Sequence, residues 1–194
     1  MKIGFIGGGN MGGAILAGYG SADPDNEAKI ALFDKSEDVC AKTRERFPKM
    51  TICSSGRELC SSSDVVILGV KPQVIEGVLS EIAGACTSDK LIISMAAGVD
   101  LAFLAEHLGA EIPIIRIMPN TPAKVGEAMI AVCRNKNVTE EAFVTAMKIF
   151  AAVGQAEEIE ERLMDCVIGV SGSSPAYTYM YIEALVQAAQ ANGM

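Results

Sequence analysis

The sequence has no tryptophan and a single histidine, and aromatic residues make up only 5% of it. One histidine leaves little for a zinc site. The six cysteines, Cys40, Cys53, Cys60, Cys86, Cys133 and Cys166, include no C-x-x-C pair. No metal centre and no disulfide framework is therefore expected, and the thiols are expected to be reduced and mostly buried. Basic residues are also scarce: 16 Lys and Arg stand against 24 Asp and Glu, for a net charge of -8. That balance argues against a nucleic-acid surface or a polybasic membrane contact. No apolar run reaches the ~20 residues that a membrane helix needs. A secretory leader does not fit either, because the first apolar run is broken by glycines, so a cytoplasmic protein is expected. What the chain does have is a hydrophobic half and 19 glycines in 194 residues. That is room for one full domain and part of a second.

The glycines matter most at the start. Residues 2–6 read as a short buried strand. Directly behind them comes G-x-G-x-x-G as Gly7, Gly9 and Gly12, and Ala14, Ile15, Leu16 and Ala17 then open a helix. Alone the glycine spacing is weak. In strand–glycines–helix order it matches a dinucleotide site. Gly7 allows a tight turn, Gly9 leaves room for a pyrophosphate, and Gly12 lets the helix sit close to the strand. Free N–H groups at the helix start then face the phosphates. The competing reading is a glycine-rich turn without a ligand.

Strand and helix patterns alternate after this. Further strands are expected at 29–33, 51–53, 64–70, 91–94, 112–117, 128–133 and 155–159. Ser36 is expected to cap a helix running to Arg46, which Pro48 stops. Ser-rich residues 54–63 read as a loop with one short helix. Helices follow from Lys71-Pro72 to about Ala83, from an Asp100 cap to His107, and over 139–150. Residues 64–70 form a continuous apolar run, as in a central strand buried on both faces. The alternation implies an α/β fold of Rossmann type, a doubly wound, mostly parallel sheet, with ligands at the carboxyl ends of its strands. Loops at that edge would line one crevice: 7–12, 34–36, 70–72, 96–98 and 118–121. Small residues at Ala96, Ala97 and Gly98 would let a flat ring lie on the backbone, and Asn120 and Thr121 offer polar groups nearby.

Asp34 lies 22 residues after Gly12, near the spacing where a carboxylate accepts hydrogen bonds from the adenosine ribose. That favours NAD. Lys35 and Ser36 follow at once, and either could meet a 2′-phosphate, so the chemistry leaves NAD and NADP even. From about residue 161 the character changes, giving expected domains of 1–160 and 161–194. Residues 162–170 read as helical, 171–175 as a break, and 176–191 as a second helix, with Ser174 as N-cap and Pro175 in the first turn. Tyr179, Ile182, Val186 and Ala189 share one face, with apolar residues around much of the rest. Such a helix is expected to be buried against something.

Several stretches together resemble pyrroline-5-carboxylate reductases. They are G-F-I-G-G-G-N-M-G-G-A-I from Gly4, G-V-K-P-Q from Gly69, S-M-A-A-G-V from Ser94, R-I-M-P-N-T-P-A from Arg116 and V-S-G-S-S-P-A-Y from Val170. The resemblance runs from end to end. It implies reduction of the cyclic imine 1-pyrroline-5-carboxylate to L-proline, the last step of proline biosynthesis. It also implies NADPH as the preferred cofactor with NADH as the alternative, and a Rossmann domain followed by the first helices of an all-α dimerisation domain. A homodimer or higher homo-oligomer is implied too. The cofactor crevice it carries over comprises Ile6, Gly7, Gly8, Gly9, Asn10, Met11 and Gly12; Asp34, Lys35 and Ser36; Val70, Lys71 and Pro72; and Met95, Ala96 and Ala97, to which Asn120 is added. Glu161 matches a substrate-adjacent acidic position, with a solvated helix-start acid as the competing reading. The family's carboxylate-binding loop and proton donor are expected in helices beyond residue 194, so no catalytic acid is assigned within this stretch, and turnover by it alone is expected to be poor. Asp34 departs from the Ser or Asn of many members, which weakens the implied NADPH preference. Two alternatives remain: a hydroxyacid dehydrogenase of the G-F-I-G-x-G-x-M-G type, and a nucleotide-binding or dimerising module without turnover. The dehydrogenase reading lacks the S-G-G loop and lysine base its chemistry needs.

Overall fold

The computed structural model describes residues 1–194. Eight strands form one sheet in the order β3-β2-β1-β4-β5-β6-β7-β8. They are β1 (Ile3–Ile6), β2 (Ile30–Phe33), β3 (Thr51–Ile52), β4 (Val65–Leu68), β5 (Leu91–Ser94), β6 (Ile114–Met118), β7 (Ala128–Arg134) and β8 (Gly154–Glu158). The central strands β1, β4 and β5 are buried at every residue. Their apolar runs are continuous because helices cover both faces.

Side chains alternate between those faces. Ile3, Phe5, Ile30, Leu32, Val65 and Ile67 point into one core, with Ile15 and Leu16 of α1 (Asn10–Ala22) and Phe143, Ile149 and Phe150 of α6 (Glu140–Ala151). Ile6, Ala31, Val66 and Leu68 point into the other. There they meet Leu59 of α3 (Gly56–Ser62), Ile75 and Leu79 of α4 (Pro72–Ile82) and Leu104 of α5 (Leu101–Leu108). Each such side chain contributes about 1.5–3 kcal/mol by leaving water. The caps follow local chemistry. Ser36 accepts from Val39 N–H at the start of α2 (Glu37–Arg46), Asp100 from Phe103 N–H, and Thr139 from Ala142 N–H.

The sheet is mostly parallel, as expected; the exception is β7, which runs antiparallel to β6. Only residues 119–127 join them, fewer than a parallel crossover requires. A 3-10 turn at Thr121–Val125 and Gly126, at φ +80°, reverse the chain instead. β8 then pairs parallel with β7 through α6.

One expectation, the break at residues 171–175, needs correction. Helix α7 (Met164–Val167) passes into a π-helical turn at Ile168–Gly172, which leads into α8 (Ser174–Ala191). The chain is not broken there. Ser174 is the first residue of α8, not its cap. Ser173 occupies the cap position with helical dihedrals, and its hydroxyl donates to the Ile168 carbonyl. Pro175 falls in the first turn, where its missing N–H costs nothing. No residue of α8 is buried. No helix is long and apolar enough to cross a membrane.

Candidate active site

The loop between β1 and α1 lies at the carboxyl edge of the sheet. Gly7 has φ +98°, and a side chain there would press on the Gly69 backbone beyond β4. A side chain at Gly12 would overlap the Gly7 carbonyl oxygen. Both positions are therefore restricted to glycine, one by the turn and one by close approach. Gly9 differs. Its φ of -66° suits any residue, and a Cβ there would meet nothing within 4 Å. The space before it is open, and it sits at the N-terminus of α1, where unpaired N–H groups and the helix dipole favour an anion.

Asp34, at the end of β2, is tied to this loop. One carboxylate oxygen accepts the Gly8 N–H at 2.8 Å and the other the Ser36 N–H at 2.9 Å. The sequence reading directed this carboxylate only at a ribose. In the structure it holds the glycine loop in place. Lys35 is exposed beside it.

A cleft of 240 Å³ gathers Ile6, Gly7, Gly9, Asp34, Lys35, Val70 and Lys71. Its far wall is Phe33, Val74 and Val78, which spacing alone did not single out. Gly8 backs it through its link to Asp34, and Pro72 opens α4 next to Lys71. Other residues of the carried-over set lie outside this cleft. Met11 and Met95 pack against the first core, and Ala96 is buried in the second. Ala97 and Gly98 are exposed at the end of β5. The side chain of Asn10 accepts from Lys124, and Ser36 spends its hydroxyl on the α2 cap. Asn120 donates to Ser171 and accepts the Met129 N–H, binding the β6 loop to the π-helical turn.

Glu161 fits neither of its two readings simply. One of its oxygens accepts both the Leu101 N–H, at the start of α5, and Arg116 Nη1 at 3.1 Å. Arg116 lies in the middle of β6 and is only 4% exposed; its second terminal nitrogen is 3.7 Å from Asp165. Glu161 is thus a clasp between a buried guanidinium, a helix N-terminus and the segment leading to α7. Sequence reasoning quoted Arg116 but gave it no role. The signal was there: one charge inside the apolar run I-I-R-I-M needs a partner. Nearby, burial and the Glu161 charge push the Cys133 thiol up to about 11, Arg116 offsetting only part of this. No group of three or more Cys, His, Asp or Glu side chains is arranged to hold a metal.

Two family models match. One is described as NADP oxidoreductase coenzyme F420-dependent and covers residues 2–98; the other, pyrroline-5-carboxylate reductase dimerisation, covers residues 161–194. The chain is 43% identical to the pyrroline-5-carboxylate reductase of Escherichia coli over 193 residues, which is 100% of this chain and 71% of that protein. This chain belongs to the pyrroline-5-carboxylate reductase family.

The Methanosarcina acetivorans reductase is 39% identical, again over 100% of this chain and 71% of its own length. Among solved structures, the Plasmodium falciparum pyrroline carboxylate reductase with NADP bound superposes with a TM-score of 0.89 at 34% identity, covering 100% of this chain and 71% of that one. The Coxiella burnetii pyrroline-5-carboxylate reductase gives 0.91 at 32% identity, covering 100% and 72%. An Aquifex aeolicus prephenate dehydrogenase, at 16% identity and a TM-score of 0.69, shares the fold alone. Family membership sets aside the hydroxyacid dehydrogenase reading.

Proposed function

We propose that this protein reduces 1-pyrroline-5-carboxylate to L-proline with NADPH, NADH being the alternative donor. The observation that carries the reading is the open ground before Gly9, framed by Gly7 and Gly12 where no side chain fits. Membership of the reductase family supplies the substrate class.

The residues present fit a dinucleotide. The N–H groups that open α1 hold the pyrophosphate, and Gly9 admits it against bare backbone. Phe33, Val70, Val74 and Val78 offer an apolar wall for the adenine. Asp34 and Lys35 meet the ribose and its 2′-substituent from opposite signs of charge. When bound, the reduced nicotinamide supplies a hydride to the imine carbon, while the ring nitrogen carries a proton. The chain's contribution is to hold both rings in register and keep water out. Ala97, at the exposed end of β5, and the loop ending in Asn120 border the place where the rings meet. Glu161 acts from one step back, by fixing the segment that leads to α7.

We also propose that the protein works as a homodimer or larger homo-oligomer through α8. Its Tyr179, Ile182, Leu185 and Val186 are all about half exposed or more. A soluble monomer rarely leaves such a patch bare.

The test uses NADPH deuterated at the transferable position, with 1-pyrroline-5-carboxylate as acceptor. Proline labelled at the former imine carbon is the expected product. Label in proline at any rate, however slow, supports the reductase reading; cofactor binding with no label at all favours the module without turnover.

A further inference from the structure

Cys60 and Cys86 place their sulfurs 3.5 Å apart. Cys60 sits near the end of α3 and is completely buried; Cys86 follows the 3-10 turn Ala83–Ala85 behind α4 and is 9% exposed. Both lie at the amino edge of the sheet, opposite the crevice, because α3 leads into β4 and the turn leads towards β5. Neither takes part in the chemistry proposed above. Hydrophobic packing alone places no demand on two sulfurs to face each other, and an alanine or valine would fill the same core.

We propose that Cys60 and Cys86 form an oxidisable pair that hydrogen peroxide converts to an intramolecular disulfide, joining α3 to the turn behind α4. The Cys60 thiolate attacks one peroxide oxygen and the O–O bond breaks. Cys60 becomes a sulfenic acid, and hydroxide leaves. The Cys86 sulfur then attacks the sulfenic sulfur; the S–S bond forms, the S–O bond breaks, and the Cys86 proton completes the departing water. Two thiols and one peroxide give one disulfide and two waters. The sulfurs lose two electrons and the peroxide gains them.

The surroundings assign the roles. The contact with Cys86 favours the Cys60 thiolate, burial opposes it, and the Lys90 ammonium adds to the favourable side. The same contact, together with burial, raises the Cys86 thiol. Lys90 is fixed close by, its Nζ donating to the Ser63 carbonyl at 2.8 Å. Cys60 is thus the attacking group and Cys86 the resolving one. Closing the gap to the roughly 2.05 Å of a disulfide asks for a small approach. Ala83, Gly84 and Ala85 place no bulky side chain on the moving turn. The bond would enclose β4 and α4, the unit that presents Val70, Lys71 and Pro72 to the crevice.

The experiment treats reduced protein with hydrogen peroxide, in a Cys166→Ser background so that this exposed thiol does not cross-link molecules. Alkylation, digestion without reductant and mass spectrometry then locate the bonds. The expected result is a linked Cys60–Cys86 peptide, lighter by two hydrogens and reopened by dithiothreitol. Constraining the unfolded chain should also raise the melting temperature by about 5–10 °C. Recovery of both residues as alkylated thiols, at doses that oxidise Cys166 in the unsubstituted chain, overturns the proposal. So does their recovery as two separate sulfinic acids. In Cys86→Ser, which keeps a donor beside Cys60 but cannot form the bond, Cys60 should stall as a sulfenic acid that a cyclic dione captures, and failure to capture it removes Cys60 as the attacking group. If that variant does not fold, the peptide map decides alone. None of these readouts depends on turnover or cofactor, so the result is independent of the reductase reading.

Discussion

Arg116 is the one charged side chain buried by the sheet, and its Nε has no hydrogen-bond partner. A buried charge is tolerated when paired and costly when its partner is removed. Glu161→Ala should therefore destabilise the fold by about 1–3 kcal/mol, the lower part of the usual range because Glu161 is partly exposed. Arg116→Met with Glu161→Gln should recover much of that loss. Urea unfolding of wild type, Glu161→Ala, Glu161→Gln, Arg116→Met and the double variant decides it, and a double-variant loss equal to the sum of the Glu161→Gln and Arg116→Met losses would show that the pair is not coupled. Asp34 makes a second prediction at this scale. Asp34→Ser removes a negative charge beside the expected 2′-phosphate position and should shift the NADPH-to-NADH affinity ratio about five- to tenfold towards NADPH. An unchanged ratio would leave Asp34 as a tether of the glycine loop only. The sequence made the roles of Gly7 and Gly12 legible because backbone geometry is written in residue type. It did not make Asp34's second role legible. Its partner, the Gly8 N–H, lies 26 positions away and carries no residue-specific mark.

At the scale of elements, buried parallel strands read well. Val65–Leu68 is apolar at every residue, and each strand end is followed by a turn or cap signal. The mostly parallel direction read well, but which strand reverses did not. An apolar strand looks the same either way, and the length of the 119–127 connection was the only sign that β7 reverses. The π-helical turn was hidden for another reason. Gly172 and Pro175 usually end helices, but a widened turn places both where a helix tolerates them. The bare face of α8 yields the element-scale prediction. The wild-type chain should self-associate at micromolar concentration, and Ile182→Glu with Leu185→Glu should give monomers of unchanged helical content. Sedimentation velocity and circular dichroism check this. A monomeric wild type would contradict the role given to α8.

For the whole molecule, the cofactor crevice and the helix that follows it depend on separate physical devices. The crevice is built from backbone: a turn that only glycine makes, a close approach that only glycine allows, and an open position that happens to be glycine. The distinction gives the most direct test. Gly9→Val should leave the fold in place, since its φ is -66° and nothing lies within 4 Å of a Cβ there. NADPH fluorescence titration of wild type and Gly9→Val, each with a melting curve, is the deciding measurement. The account predicts saturable binding by the wild type, affinity at least about tenfold weaker in the variant, equivalent to about 1.4 kcal/mol or more, and melting temperatures within about 2 °C of each other. Equal affinity in two equally stable proteins would contradict it, because the pyrophosphate would then not approach the chain at Gly9.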